Sequence, residues 1–236
     1  MSKYILVTAG NTSEPIDSVR SITNTASGKL GSIIADGFIS RGEDVVYVCG
    51  KSAARPAQSP VQTVTVEGVA DLARAVKDLC ISYRFDCIIH SMAVSDYTVK
   101  GILPYEELTR AAEQGTQPVI GSTQGKLSSD IPNPVILLEK APKVIRLLRD
   151  LQPQALLVGF KLLVGVTEDE LYLAARKLME MNDCDYICAN DLNHIAGDRH
   201  EALLIDRDGH CAKLATKQQI ADAVINNILI KWRNQK

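Results

Sequence analysis

The sequence predicts an α/β fold of the doubly wound kind: a mainly parallel sheet with helices on both faces, a C-terminal β-hairpin extension and a long flap loop. Two observations carry this. Short β-branched runs alternate with segments of helical hydrophobic period along most of the chain, which implies right-handed crossovers between parallel strands. Near the end, Arg207-Asp208-Gly209 separates two short strand-like runs, and Asp-Gly is a hairpin signal.

The elements follow in order. Residues 4–8 read as a buried strand. Leu30, Ile33, Ile34, Gly37 and Phe38 then fall on one face of a helix that Gly42 stops. Residues 44–49 and 61–66 are the next strands, and Val69, Leu72, Ala73, Val76, Leu79 and Cys80 stripe the helix after them. A strand at 86–91 precedes the segment 98–133, where Gly and Pro recur with little periodicity apart from a short helix around 106–112. So long an insertion in a compact domain is usually a binding loop or lid, and it is expected to be a mobile flap. Beyond it lie strand 135–138, helix 142–151 opened by Pro142, strand 155–161, helix 168–182, strand 185–189, the hairpin at about 202–214, and a last helix at 217–232. No linker or internal repeat interrupts the pattern, so residues 1–236 are expected to form one Rossmann-like domain.

Composition excludes several partner classes. The 236 residues carry 26 Lys+Arg against 28 Asp+Glu, a net charge of −2, which argues against bulk attraction to nucleic acid or anionic lipid. The longest apolar run, 155–166, is broken by Lys161, so no membrane span is expected. The apolar 5–7 run is too short for a secretory core, and the six scattered cysteines read as reduced thiols of a cytoplasmic protein. Neither the cysteines nor the histidines repeat at zinc-ligand spacing.

In a doubly wound sheet, ligands bind at the carboxyl ends of the strands, near the switch in strand order. The residues that follow each strand are therefore the candidates. After the first strand, residues 8–31 combine a glycine turn at Gly10, several hydroxyls, Arg20, the amide of Asn24, and Ser27-Gly28-Lys29 at a helix start, where backbone N–H groups suit a phosphate. Neither G-x-G-x-x-G nor a phosphate-loop motif is present. Ala93 and Asp96 follow the 86–91 strand; Lys140 and Lys143 surround a helix start; Phe160 and Lys161 end one strand, and Asn190 and Asp191 end another. Arg20, Lys126, Lys140, Lys143 and Lys161 are expected to make one edge locally cationic, as a polyanionic small molecule requires. Phosphate chemistry by positioning and electrostatics is favoured over nucleophilic catalysis, for which no Ser-His-Asp or Cys-His set is evident.

Taken together, TAGNTSEPID (8–17), VRSITN (19–24), SGKLG (27–31), AVSDY (93–97), GKLSSD (125–130), KAPKVI (140–145), VGFK (158–161) and CAND (188–191) resemble the ordered signature of phosphopantothenate–cysteine ligases of coenzyme A biosynthesis. The resemblance implies a two-step reaction. The carboxylate of 4′-phosphopantothenate attacks the α-phosphate of CTP in the presence of Mg²⁺, releasing pyrophosphate, and cysteine then displaces CMP from the acyl-cytidylate to form the amide. It also implies roles. Asn24 stabilises the second step and Arg20 shapes the substrate site. Lys126 neutralises charge at the phosphates. Gly10, Ala93, Asp96, Phe160 and the segment Pro142, Lys143, Val144 and Ile145 belong to the nucleotide site, and Asn190 and Asp191 to substrate binding. No metal ligand is identified.

Asn11, Lys143, Leu178 and Asn182 depart from the family pattern, the last two at positions where bacterial relatives carry lysines. The family implies CTP, and these departures make ATP the alternative nucleotide. The family further implies a homodimer and, because the chain opens at the ligase motif, a separate flavin-dependent decarboxylase. The competing readings are an NAD(P)-dependent reductase of doubly wound fold and a non-catalytic nucleotide-binding module.

Overall fold

The computed structural model describes residues 2–120, 128, 130–197 and 199–234. Its centre is a sheet whose parallel strands run in the spatial order β5 (Gln62–Val66), β4 (Asp44–Gly50), β1 (Tyr4–Ala9), β6 (Cys87–His90), β9 (Leu156–Leu163), β10 (Tyr186–Asp191). The order reverses between β1 and β6, which makes that gap the topological switch point. On the β10 side the sheet continues in antiparallel sense with β12 (Arg199–Asp206), which also pairs with the short β11 (Ile195–Ala196) and with β13 (Cys211–Thr216). The predicted hairpin is thus part of the main sheet.

Strands β1, β4, β6 and β10 are buried on both faces, as the near-continuous apolar runs of parallel sheets require. On one face, Ile5, Val7, Val45 and Tyr47 meet Ile34 and Phe38 of α1 (Lys29–Ile39) and Ile220, Val224 and Ile228 of α6 (Lys217–Asn234). On the other, Leu6, Val46 and Ile88 meet α2 (Val69–Ser82), α4 (Val144–Leu151) and α5 (Glu168–Asn182) through Leu72, Val76, Leu148, Ala175 and Met179. Each such fully buried aliphatic or aromatic side chain contributes about 1.5–3 kcal/mol. A capping box starts α5: Glu170 N–H donates to Thr167 Oγ1 at 3.3 Å and Thr167 N–H donates to Glu170 Oε2 at 2.8 Å.

Two expectations are corrected. Residues 135–138 do not join the main sheet: β8 (Pro134–Lys140) pairs antiparallel with β7 (Tyr97–Pro104) in a separate ribbon, and α3 (Tyr105–Glu113) follows β7, so the segment expected to be a loop holds regular structure in its described part. Its partner strand is β7, and Ile136 and Leu138 of this ribbon remain 39% and 48% exposed. Pro142 does not open α4, which starts at Val144 after Lys143 as N-cap. Ala141 N–H donates to the Asp96 carbonyl at 2.9 Å, which ties the chain before the helix to the end of the β6–β7 connection. Two short strands, β2 (Ser13–Pro15) and β3 (Ser21–Thr23), form a further ribbon inside the long connection after β1. Among the described residues no helix is long and apolar enough to cross a membrane.

Candidate active site

The switch point is zipped together above the sheet. Beyond the β1–β6 ladder, Ser91 N–H donates to the Thr8 carbonyl (3.0 Å), Ala93 N–H to the Gly10 carbonyl (2.8 Å) and Thr12 N–H to the Ala93 carbonyl (3.1 Å). Thr12 Oγ1 accepts from Ser95 N–H at 2.9 Å and lies 3.0 Å from the Ser95 hydroxyl. Beneath this zipper, Thr8 Oγ1 and His90 Nδ1 are 2.8 Å apart, and burial lowers the His90 pKa to about 4, so its imidazole is neutral at pH 7. Gly10 makes the turn possible: its φ is +82°, and a Cβ there would stand 2.4 Å from the Ala53 Cβ.

Beside the zipper lies a polar cavity of about 450 Å³. Its walls come from the end of β1 and the β2–β3 ribbon (Asn11, Ser13, Ser21, Thr23), the approach to α1 (Asn24 to Ser27), and the ends of β4 and β5 (Lys51, Ser52, Val66, Glu67). Asn11 Nδ2 donates to Thr23 Oγ1 at 2.5 Å, and Thr23 Oγ1 donates to the Thr12 carbonyl at 3.1 Å, so the ribbon is fixed against the strand end. Asn24 Nδ2 donates to the Ala93 carbonyl at 3.2 Å, the same oxygen that receives Thr12 N–H. Lys51 and Glu67 form an ion pair of 2.7 Å at the wall.

The structure brings three predicted residues together: Gly10, Asn24 and Ala93. Asp96 and Lys143 form a second group, an exposed ion pair of 2.5 Å close to Pro142 in the chain. Arg20 is tied to its neighbour: Asp17 accepts from Arg20 Nε at 3.0 Å and from Nη2 at 2.5 Å, and that bond raises the Arg20 pKa. Phe160 sits on β9, half-buried against the α1–α6 face of the core, and Asn190 is buried on β10. Lys126 lies outside the described residues.

Other predicted residues are also engaged in packing and backbone hydrogen bonds. Val144 is 2% exposed and faces the core, and Ile145 packs within 3.0 Å of the Cβ position of Gly159. Asp191 takes N–H groups from Asn193 (2.9 Å), Val166 (2.9 Å) and Gly165 (3.0 Å), and these backbone bonds lower its pKa. It lines a different, more apolar cavity of about 310 Å³ with Val166, Leu171, Leu203 and Leu214. Leu178 and Asn182 likewise turn inward, Leu178 against the core and Asn182 to the Leu178 carbonyl at 3.0 Å. Of the predicted cationic edge, Arg20 and Lys143 are held by carboxylates. Lys51, Glu67 and His90 were not identified from the sequence, although all three stand at or just after strand ends.

Among the described residues, the lining of the 450 Å³ cavity supplies one carboxylate, Glu67, which does not make a magnesium cage. Among the described residues the only cluster of three potential ligands, Asp206, Asp208 and His210, lies in the β12–β13 turn, beside the amino end of β10.

Comparison with known proteins gives the same assignment. The profile of the DNA/pantothenate metabolism flavoprotein C-terminal domain matches residues 1–107 and 119–231. The coenzyme A biosynthesis bifunctional protein CoaBC of Thermococcus kodakarensis is 34% identical over 228 residues, covering 96% of this chain and 51% of that protein. The chain thus spans about half the length of the curated relatives it matches. The crystal structure of the DNA/pantothenate metabolism flavoprotein from Streptococcus pneumoniae superposes with a TM-score of 0.85 at 37% identity, covering 98% of this chain and 100% of that one. The C-terminal domain of a CoaBC protein superposes with a TM-score of 0.72 at 27% identity over 98% and 96% of the two chains. This chain belongs to the family of the DNA/pantothenate metabolism flavoprotein C-terminal domain.

Proposed function

We propose that this protein is a phosphopantothenate–cysteine ligase, which activates the carboxylate of 4′-phosphopantothenate as an acyl-nucleotide and then forms an amide with cysteine. One observation carries the reading: the Asn24 amide, hydrogen-bonded to the Ala93 carbonyl, stands in the wall of a polar cavity at the β1–β6 switch point. The kinship with CoaBC proteins supports the same chemistry.

The chain's own residues contribute mainly position. An Asn amide has two N–H donors and one acceptor oxygen, and Ala93 uses one donor. The remaining N–H donor is available to stabilise the charge that grows on the acyl carbonyl oxygen during attack by the cysteine amine, and the amide oxygen can accept from that amine. A fixed donor at that point is worth about 3 kcal/mol. Ala93, with only a methyl side chain, permits a close approach to the backbone, and Phe160 offers a flat apolar surface to a base. CTP is the favoured nucleotide and ATP the alternative. Magnesium would accompany the nucleotide as its counter-ion and would supply screening of phosphate charge.

The same reading includes a homodimer. A two-stranded ribbon is marginal alone, and β7–β8 exposes Tyr97, Ile136 and Leu138, apolar surface that a second copy can cover. A separate flavin-dependent decarboxylase would consume the product. The test is incubation of the purified protein with 4′-phosphopantothenate, cysteine, Mg²⁺ and either CTP or ATP. Pyrophosphate and the amide product are expected; NADPH oxidation without pyrophosphate would instead favour a reductase.

A further inference from the structure

The polar cavity holds one cation among its described lining residues, Lys51, and the route by which the fold delivers it is explicit. β4 and β5 are parallel neighbours in the register Gly50↔Val66, so the residues that follow them, Lys51 and Glu67, leave the sheet side by side. Both exits are fixed. A Cβ at Gly50 would stand 2.3 Å from the Asn11 carbonyl oxygen, so the strand end can lie flat against the loop after β1 only because residue 50 is glycine. Ala54 N–H donates to the Ser27 carbonyl at 2.9 Å, which ties the loop carrying Lys51 to the approach of α1. On the other side, the Glu67 carbonyl accepts Ser13 N–H at 2.7 Å.

Lys51 therefore faces the same space as Asn24, Thr25, Ser27 and Ser52, while its ammonium is held by Glu67 at 2.7 Å. The pair is weak by construction. The two side chains are 66% and 49% exposed, and such pairs are worth about 0–1 kcal/mol. A dianionic phosphate is a stronger partner for an ammonium than one solvated carboxylate, and serine and threonine hydroxyls supply further donors.

We infer that Lys51 is the specificity residue for the 4′-phosphate of the pantothenoyl substrate, exchanging its Glu67 partner for the phosphate when substrate enters. This rests on the ligase reading above. The nucleotide's phosphates carry the same chemistry, but none of the residues assigned to the nucleotide, Ala93, Asp96, Pro142, Lys143 or Phe160, lines this cavity, whereas the substrate residue Asn24 does. Glu67 then acts as a placeholder that holds the ammonium near the phosphate position and repels substrate weakly.

The experiment compares wild type, Lys51→Met, Lys51→Arg and Glu67→Gln by calorimetric binding of 4′-phosphopantothenate and of unphosphorylated pantothenate, with KM values for both and for the nucleotide. Lys51→Met is expected to weaken 4′-phosphopantothenate about 10- to 100-fold in Kd and KM, with a smaller effect on kcat. It should leave pantothenate and the nucleotide within about twofold. Lys51→Arg should recover part of the loss, and Glu67→Gln should tighten the phosphorylated substrate severalfold. An equal loss for both pantothenoyl compounds, a change confined to the nucleotide, or no change would overturn the assignment. Binding is read separately from turnover, so wild-type binding that depends on Lys51 without pyrophosphate release overturns only the ligase reading. Turnover that ignores Lys51 overturns only this inference.

Discussion

Asn24 donates from its side-chain amide to the backbone carbonyl of Ala93 across 3.2 Å, joining two residues 69 positions apart in the chain. The bond closes the long connection after β1 onto the end of β6, at the point where the sheet reverses its strand order. It also fixes where the rest of the Asn24 amide can act.

Replacement of Asn24 by Ala should separate the two chemical steps. The variant is expected to release pyrophosphate and accumulate acyl-nucleotide while amide formation falls about 100-fold or more. Quenched-flow mass spectrometry of the intermediate checks this. Normal amide turnover would contradict the role assigned to Asn24.

Gly10→Ala should damage fold and site together. The backbone at φ +82° disfavours any L side chain, and the added Cβ would meet the Ala53 Cβ at 2.4 Å. Strain and overpacking of this kind cost about 1–3 kcal/mol each. A urea midpoint lower than wild type, with a fall in kcat/KM, is expected; an unchanged midpoint would show that the β1 turn relaxes freely.

Two charged side chains should behave differently on removal. The Arg149 guanidinium is 7% exposed; it donates to the carbonyls of Pro153, Ala155 and Asp183 and to Asp185 Oδ2 at 2.9 Å. Arg149→Met leaves buried acceptors without donors and should cost about 3–5 kcal/mol. Lys143→Met breaks an exposed pair with Asp96 and should cost less than about 1 kcal/mol. Chemical denaturation of both variants checks the contrast, and equal losses would contradict it.

Acid should weaken the protein through its buried histidines. Burial lowers the pKa of both His90 and His200 from 6.5 to about 4. Below pH 6.5 the unfolded chain takes up these protons while the folded chain does not. Stability is therefore full above pH 6.5 and falls until pH reaches about 4, by about 3 kcal/mol for each histidine. His90→Asn should flatten the slope of stability against pH between those limits. A slope equal to wild type would show that His90 does not carry it.

The main sheet was legible because β1, β4, β6 and β10 are apolar on both faces and most connections between its parallel strands carry a helical stripe. β8 was not: 135–138 is as apolar as the central strands, and only its pairing with β7, a long-range event, keeps it out of the main sheet. The site was legible in part. Asn24 and Ala93 follow strands that flank the switch point, so the rule that finds them needs no tertiary knowledge. Asp191 also ends a strand, yet three backbone N–H groups claim its carboxylate, and no local pattern announces that. Arg20 was expected to serve a ligand, but the turn from Asp17 brings a carboxylate to it first. Lys51 and Glu67 obey the same strand-end rule as Asn24, and what reveals them is the β4–β5 register.

The most direct test of the account is pyrophosphate release by the purified protein with 4′-phosphopantothenate, cysteine and Mg²⁺, once with CTP and once with ATP. The account predicts stoichiometric pyrophosphate, nucleoside monophosphate and 4′-phosphopantothenoylcysteine with at least one nucleotide, CTP being favoured. Release of no pyrophosphate with either would contradict it.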